Sequence, residues 1–190
     1  MFARLTMIAS GATQATRKGR FPMDEAPEPS AFDRAGALAS SLRRADRVWT
    51  SPALAARRTA EALGLNATVE PLLAEQDFGR WAGKSFEAMQ AEDPEAMAAW
   101  FANPDAAPHG GESLAAVARR GAALMERLAG EGGHTIAFTH AVPIRAAIVH
   151  VLGASLSSVW KIDIEPLSLT EFRSDGRRWV LHASGVIARG

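Results

Sequence analysis

The run Leu5-Thr6-Met7-Ile8-Ala9 breaks off into Ser10-Gly11-Ala12-Thr13, and this switch constrains the chain more than any other stretch. A continuous apolar run of strand length, bounded by small residues, reads as a strand buried on both faces. Such strands belong inside a sheet that carries helices on either side. The end of the run hands the backbone to a loop of small residues, which leaves room for a ligand beside the main chain. The C-terminal end of this strand is therefore the expected floor of a site. Ala9, Ser10 and Ala12 bring little chemistry of their own, so the function depends on what gathers around them.

Residues 10–31 read as irregular, punctuated by Gly11, Gly19, Pro22, Pro27 and Pro29. Phe21 and Met23 are expected to anchor this segment. Arg17, Lys18 and Arg20 cluster in it and suit either an anion above the site or solvent. Helical spacing then covers 33–42, and 46–50 reads as a strand. Ser51-Pro52 is expected to open a helix, with Ser51 as its cap and Gly64 as its end. A strand at 68–72 leads into the polar, aromatic and glycine-rich loop 75–83. A helix over 86–101 restarts at Pro94, and a loop follows over 103–111. Next come a helix at 114–128, a turn at 130–133, a strand at 134–139 and a helix at 144–152 closed by Gly153. Strands at 167–172 and 179–182, joined through Ser174-Asp175-Gly176, are expected to pair antiparallel at one edge.

This alternation predicts a three-layer α/β/α sandwich with a mostly parallel central sheet, in one domain over residues 1–190. In open sheets of this class, ligands bind beyond the carboxyl ends of the strands. That rule gathers Ser10, Ser51 and His140 in one place, with Glu75 and His109 on loops that can join them.

Composition excludes several functions. The 21 basic and 21 acidic residues cancel, so no bulk field draws the chain to nucleic acid or to an anionic membrane. There is no cysteine, hence no disulfide, thiolate ligand or cysteine nucleophile, and a reducing, cytoplasmic setting is expected. No apolar run reaches the length of a membrane span, and the first apolar run is too short for a signal peptide. The five histidines form no short metal-ligand motif, and neither glycine-rich nucleotide-binding pattern is present, so no metal and no cofactor is expected.

His140 follows an apolar strand and precedes a helix, where an imidazole can meet an anion beside helix amides. Its plain alternative is a hydrogen-bonded structural histidine. Arg145 on the first turn of that helix reaches either a ligand or an acidic side chain. Glu75 suits a general acid if burial raises its pKa, and is otherwise an ordinary loop carboxylate. His109 before Gly110-Gly111 is expected to place its ring over the crevice. Glu112 serves either a helix N-terminus or a structural contact. Ser10 and Gly11 lie at the strand end itself.

Four ordered elements resemble the histidine phosphatase superfamily, the phosphoglycerate-mutase-like fold, over nearly the whole chain. Ser51-Pro52 with Thr59-Ala60 is similar to its Ser-Pro-Leu…Gln-Thr-Ala helix. Leu73-Ala74-Glu75, Phe78-Gly79 and Trp81-Ala82-Gly83 resemble its Leu-x-Glu-x-x-Phe-Gly-x-Trp-x-Gly loop. Gly110-Gly111-Glu112-Ser113 matches its Gly-Gly-Glu-Ser element, and Thr139-His140 with Ile144-Arg145 its second-histidine motif. The resemblance implies that Glu75 is the proton donor and His140 the second phosphate-binding histidine.

The resemblance also exposes departures. The first strand of such enzymes ends Arg-His-Gly, and that histidine is phosphorylated in turnover. Here the matching residues are Ala9, Ser10 and Gly11. The phosphate-clamping arginine of the Ser-Pro helix falls on Ala55, and the Asn following the first motif falls on Thr16. Ser10 is no equivalent nucleophile, because it needs a general base and a phosphoserine would be a poor leaving group. A single lost arginine contact costs on the order of 1.5–3 kcal/mol.

Four readings follow. The first is an inactive member that binds a small molecule, phosphorylated or not. The second is an acid–base lyase, isomerase or hydrolase using Glu75, His109 and His140, with Ser10 as a donor. The third is a residual phosphomonoesterase recruiting Arg17 or Arg20. The fourth is an interaction protein with an empty pocket. The segments 12–27, 100–113 and 160–169 also resemble proteins found with bacterial cobalamin and cobalt-transport genes, which implies a ribazole-phosphate-like substrate. Trp100, Phe101 and Trp160 are candidates for a homodimer interface or for the core.

Overall fold

The computed structural model describes residues 1–188. Six strands form one sheet in the order β3-β2-β4-β1-β5-β6: β1 (Ala3–Ala9), β2 (Arg47–Thr50), β3 (Thr68–Val69), β4 (Gly133–Thr139), β5 (Leu169–Ser174) and β6 (Trp179–Val186). The first apolar run lies near the centre. It is parallel to β4 from Ala3 opposite Gly133 to Ala9 opposite Thr139, and antiparallel to β5 on its other side. β2 pairs parallel with both β3 and β4, and β5 pairs antiparallel with β6. The sheet is mostly parallel, as expected, and mixed at one side: the four strands β1 to β4 are mutually parallel, and the two last strands close the sheet with antiparallel pairings.

The described residues form seven α-helices: α1 (Gln14–Arg17), α2 (Ala35–Ser41), α3 (Leu54–Ala62), α4 (Phe86–Glu92), α5 (Pro94–Ala102), α6 (Leu114–Glu131) and α7 (Ala141–Leu152). Side chains alternate across a strand. Leu5, Met7 and Ala9 thus share one face of β1 and pack with Ala137 and Phe172 against Leu124, Met125 and Leu128 of α6 and Ile144, Ala147 and Ile148 of α7. Ile8, Ile136 and Phe138 point the other way, onto Ala35 and Leu38 of α2 and Ala56 and Ala60 of α3. A third apolar cluster joins Phe21, Phe78 and Trp81 to Met89, Met97 and Trp100 of α4 and α5. No helix among the described residues is long and apolar enough to cross a membrane.

Several local expectations change. Ser51 does not cap α3. That helix begins at Leu54, and Asp24 Oδ1 accepts the Leu54 N–H at 2.7 Å from a distant segment. β3 stops after two residues because Pro71 has no donor for the ladder and opens a 3-10 turn at Pro71–Leu73. α7 starts at Ala141, two residues before Pro143, since the first turn of a helix has amides without intrahelical partners in any case. Gly130 lies inside α6, and the reversal into β4 falls on Gly132 and Gly133, both at positive φ. The segment expected to be irregular contains the short helix α1. Of its two proposed anchors only Phe21 is buried, while Met23 is half exposed.

The loops at 77–79 and 109–111 touch backbone to backbone. Arg80 N–H donates to the His109 carbonyl at 3.0 Å, and Glu112 N–H donates to the Asp77 carbonyl at 2.8 Å. A Cβ at Gly111 would stand 2.1 Å from the Asp77 carbonyl oxygen, so only glycine permits this approach. Gly111→Ala is expected to cost about 1–3 kcal/mol through overpacking, read as a lower denaturant midpoint at unchanged slope. Gly130→Ala, where an added Cβ meets no atom within 4 Å, is expected to raise stability slightly through helix propensity.

Candidate functional site

The parallel register brings the ends of β1 and β4 side by side. Ser10 N–H continues the ladder to the Thr139 carbonyl at 2.8 Å, so Ser10 and His140 become neighbours. A cavity of about 770 Å³ opens over these ends. Its floor is made of Ala9, Ser10, Gly11, Ala55, Glu75 and His140, and its wall includes Met23, Phe78, Phe86, Trp100 and Trp160. The volume near the floor follows from the small side chains at 9, 10, 11 and 55.

The first two amides of the loop, of Ser10 and Gly11, are already satisfied. Gly11 N–H donates to Thr59 Oγ1 at 2.9 Å, and the buried Thr59 hydroxyl donates in turn to the Ala55 carbonyl at 2.7 Å. With Ser10 N–H bonded to Thr139, neither amide is free to hold an anion. Gly11 lines the cavity but does not present its N–H to it.

His140 is buried. Its Nε2 lies 2.8 Å from Ser51 Oγ, and its Nδ1 lies 3.4 Å from Ser10 Oγ and 3.7 Å from Glu75 Oε2. Burial pushes the imidazole pKa down to about 4. Arg120 adds to this and Asp24 opposes it, so the ring is neutral at pH 7. Burial raises the Glu75 carboxyl to about 7, against the opposing pull of the Gln76 amide, Arg120 and Arg145. The site thus pairs a neutral imidazole with a carboxyl that burial keeps partly protonated near pH 7.

Arg120 holds this arrangement together. Its Nε and Nη2 donate to both carboxylate oxygens of Glu112 at 2.8 and 3.0 Å, while Nη1 and Nη2 reach the Leu72 and Glu75 carbonyls at 2.7 and 3.2 Å. Glu112 therefore takes the structural role among its two alternatives. Arg145 faces Asp163 with 3.8 Å between Nη2 and Oδ1.

The fold brings Ser10, Gly11, Arg20, Glu75 and His140 to the cavity, and leaves two expected site residues outside its lining. His109 is buried in the aromatic cluster, 5.3 Å from Trp81 and 5.7 Å from Phe78 between ring centres. The Gly110-Gly111 turn folds back over it, so that Gly111 N–H donates to His109 Nδ1 at 3.0 Å. Arg17 is exposed on α1 and spends its charge on Glu28. Sequence reasoning missed Asp24, Asp163, Glu165 and Phe86 on the lining. No short-range pattern connects any of them to the strand ends. No group of three or more His, Cys, Asp or Glu among the described residues is disposed to hold a metal ion.

The two shifted groups act oppositely on stability. An unfolded glutamate loses its proton near 4.5, whereas folded Glu75 keeps it to about 7, so its contribution to stability falls as pH rises between those values. Unfolded histidine binds a proton below 6.5 and folded His140 only below about 4, so its contribution rises with pH over that window. Glu75→Gln removes the first effect alone. The stability of this variant relative to the parent is expected to grow by on the order of 3 kcal/mol from pH 4.5 to 7. Urea unfolding at a series of pH values checks this, and a constant difference contradicts it.

Comparison with known proteins places these features. A family model described as the histidine phosphatase superfamily (branch 1) matches residues 11–186. A bifunctional protein of Mycobacterium tuberculosis is 30% identical over 186 residues, covering 91% of this chain and 51% of that protein. The chain thus spans about half the length of that relative. Phosphoserine phosphatase 1 of Hydrogenobacter thermophilus is 31% identical over 153 residues, 76% of this chain and 72% of that protein. The structure of mycobacterial glucosyl-3-phosphoglycerate phosphatase with VO3 superposes with a TM-score of 0.84 at 26% identity, covering 97% of this chain and 100% of that one. With the family match running through the loop after β1, the aromatic loop and the second-histidine strand, the chain belongs to the histidine phosphatase superfamily, branch 1.

Proposed function

We propose that this chain binds a small molecule at the joined ends of β1 and β4 and does not carry out the phosphohistidine turnover of its superfamily. One observation carries the reading: among the described residues, His140 is the one imidazole on the cavity lining, and it is neutral and held by Ser51. Ser10 occupies the place that the family resemblance assigns to the nucleophilic histidine, and Ala9 and Ala55 occupy the places of phosphate-clamping arginines. A transferring phosphoryl group is stabilised by preorganised donors and positive charge. Here the Ser10 and Gly11 amides are spent within the fold. The cavity volume and its aromatic wall are those of a small-molecule pocket. The cysteine-free sequence suits a reducing compartment, and the cytoplasm is the proposed location. A cobalamin-related context rests on the sequence resemblance alone.

The purified protein is expected to hydrolyse 4-nitrophenyl phosphate no faster than its His140→Ala variant. Enzyme-like turnover that His140→Ala abolishes would overturn this reading in favour of a residual phosphomonoesterase.

A further inference from the structure

Glu75 is a carboxyl without a cation of its own. Among the described residues, neither of the two guanidinium groups that act on it donates a hydrogen bond to its carboxyl. Arg120 is bidentate on Glu112, and Arg145 faces Asp163. His140, 3.7 Å away, is neutral. Around the same cavity stand five carboxyl groups, of Asp24, Glu75, Asp77, Asp163 and Glu165, against the guanidinium groups of Arg20 and Arg145 alone. Three of the five, Asp24, Glu75 and Asp77, each accept one backbone amide, which holds these acids in place rather than cancelling their charge.

The opposite wall is apolar and fixed. Trp100 and Trp160 lie 4.6 Å apart between ring centres, and Phe78 meets Trp100 edge-on at 6.2 Å. Trp160 Nε1–H donates to the Phe101 carbonyl at 3.2 Å, which ties the outer ring to the end of α5. A planar apolar body has a surface to lie on here. A dianionic phosphate group, by contrast, would face Glu75 and Asp24 across a floor of alanine and serine.

Resting on the reading that the cavity binds a small molecule, we infer that its ligand has a planar apolar body and one ammonium group seated against the Glu75 carboxylate. The Ser10 hydroxyl, beside His140 Nδ1, is a second acceptor for that ammonium. The cation supplies the charge that Glu75 lacks, so binding draws Glu75 into its ionised form. The groups facing Glu75 during this change are Arg120 and Glu112 from α6 and the loop before it, Arg145 from α7, and His140 at the end of β4.

Three matched probes test this: 2-phenylethylamine, 2-phenylethanol and 2-phenylethyl phosphate, titrated calorimetrically at pH 7 in two buffers of different ionisation enthalpy. The amine is expected to bind about tenfold or more tightly than the other two. It should also release a fraction of a proton, because burial raises the Glu75 carboxyl to about 7 and leaves it partly protonated before binding. Glu75→Gln keeps the side-chain volume and is expected to abolish both the amine preference and the proton release. Preference for the phosphate ester, equal binding of amine and alcohol, or proton release that survives Glu75→Gln overturns the ammonium assignment and leaves the ligand-binding reading standing. Failure of all three probes to bind counts against the ligand-binding reading itself and removes the assignment with it.

Discussion

The parallel ladder between β1 and β4 runs unbroken from Ala3 opposite Gly133 to Ala9 opposite Thr139, and Ser10 N–H extends it by one step. Everything at the site depends on that register. A slip of one residue would turn Leu5, Met7 and Ala9 away from α6 and α7 and send Ile8 into their place, since side chains alternate with period two. It would also part Ser10 from His140. The burial of both faces of β1 makes such a slip costly, so the core that stabilises the sheet is the same device that aligns the two strand ends.

Glu75 owes its position to a different kind of constraint. It sits on a loop, and loops keep their shape only when their backbone groups find partners. Arg120 supplies those partners at the Leu72 and Glu75 carbonyls while Glu112 neutralises it. The contact between Gly111 and the Asp77 carbonyl secures the following turn. The charge-assisted hydrogen bonds of Arg120 are thus directed at the backbone of this loop, while the carboxyl itself accepts only the neutral Gln76 amide among the described residues. That explains how a buried acid stands near two arginines and still holds its proton close to neutrality.

The parts of this fold that local pattern controls were legible in the sequence. The apolar runs of β1 and β4, the restart of the helix at Pro94 and the left-handed Gly153 after α7 all lie where periodicity and punctuation placed them. The family motifs likewise led to Ser10, Glu75 and His140, which the fold brings together. What escaped depends on long-range geometry. Asp24 caps a helix 30 residues away. β3 is cut short by the missing donor of Pro71. His109 turns into the aromatic cluster because the two glycines after it fold the chain back rather than open it over the cavity. Phe86 and Asp163 join the lining only once α4 and the segment after α7 are packed. No spacing along the chain encodes those placements.

The capping of α3 by Asp24 has a consequence for any free anion near the cavity. The partial positive charge of a helix N-terminus attracts negative groups, and here a carboxylate of the same chain already occupies it at 2.7 Å from Leu54 N. A tethered group competes at an effective concentration on the order of millimolar without needing to diffuse in. The protein therefore carries its own competitor at the cavity rim, and a soluble anion meets an occupied seat there even when the cavity behind it is open.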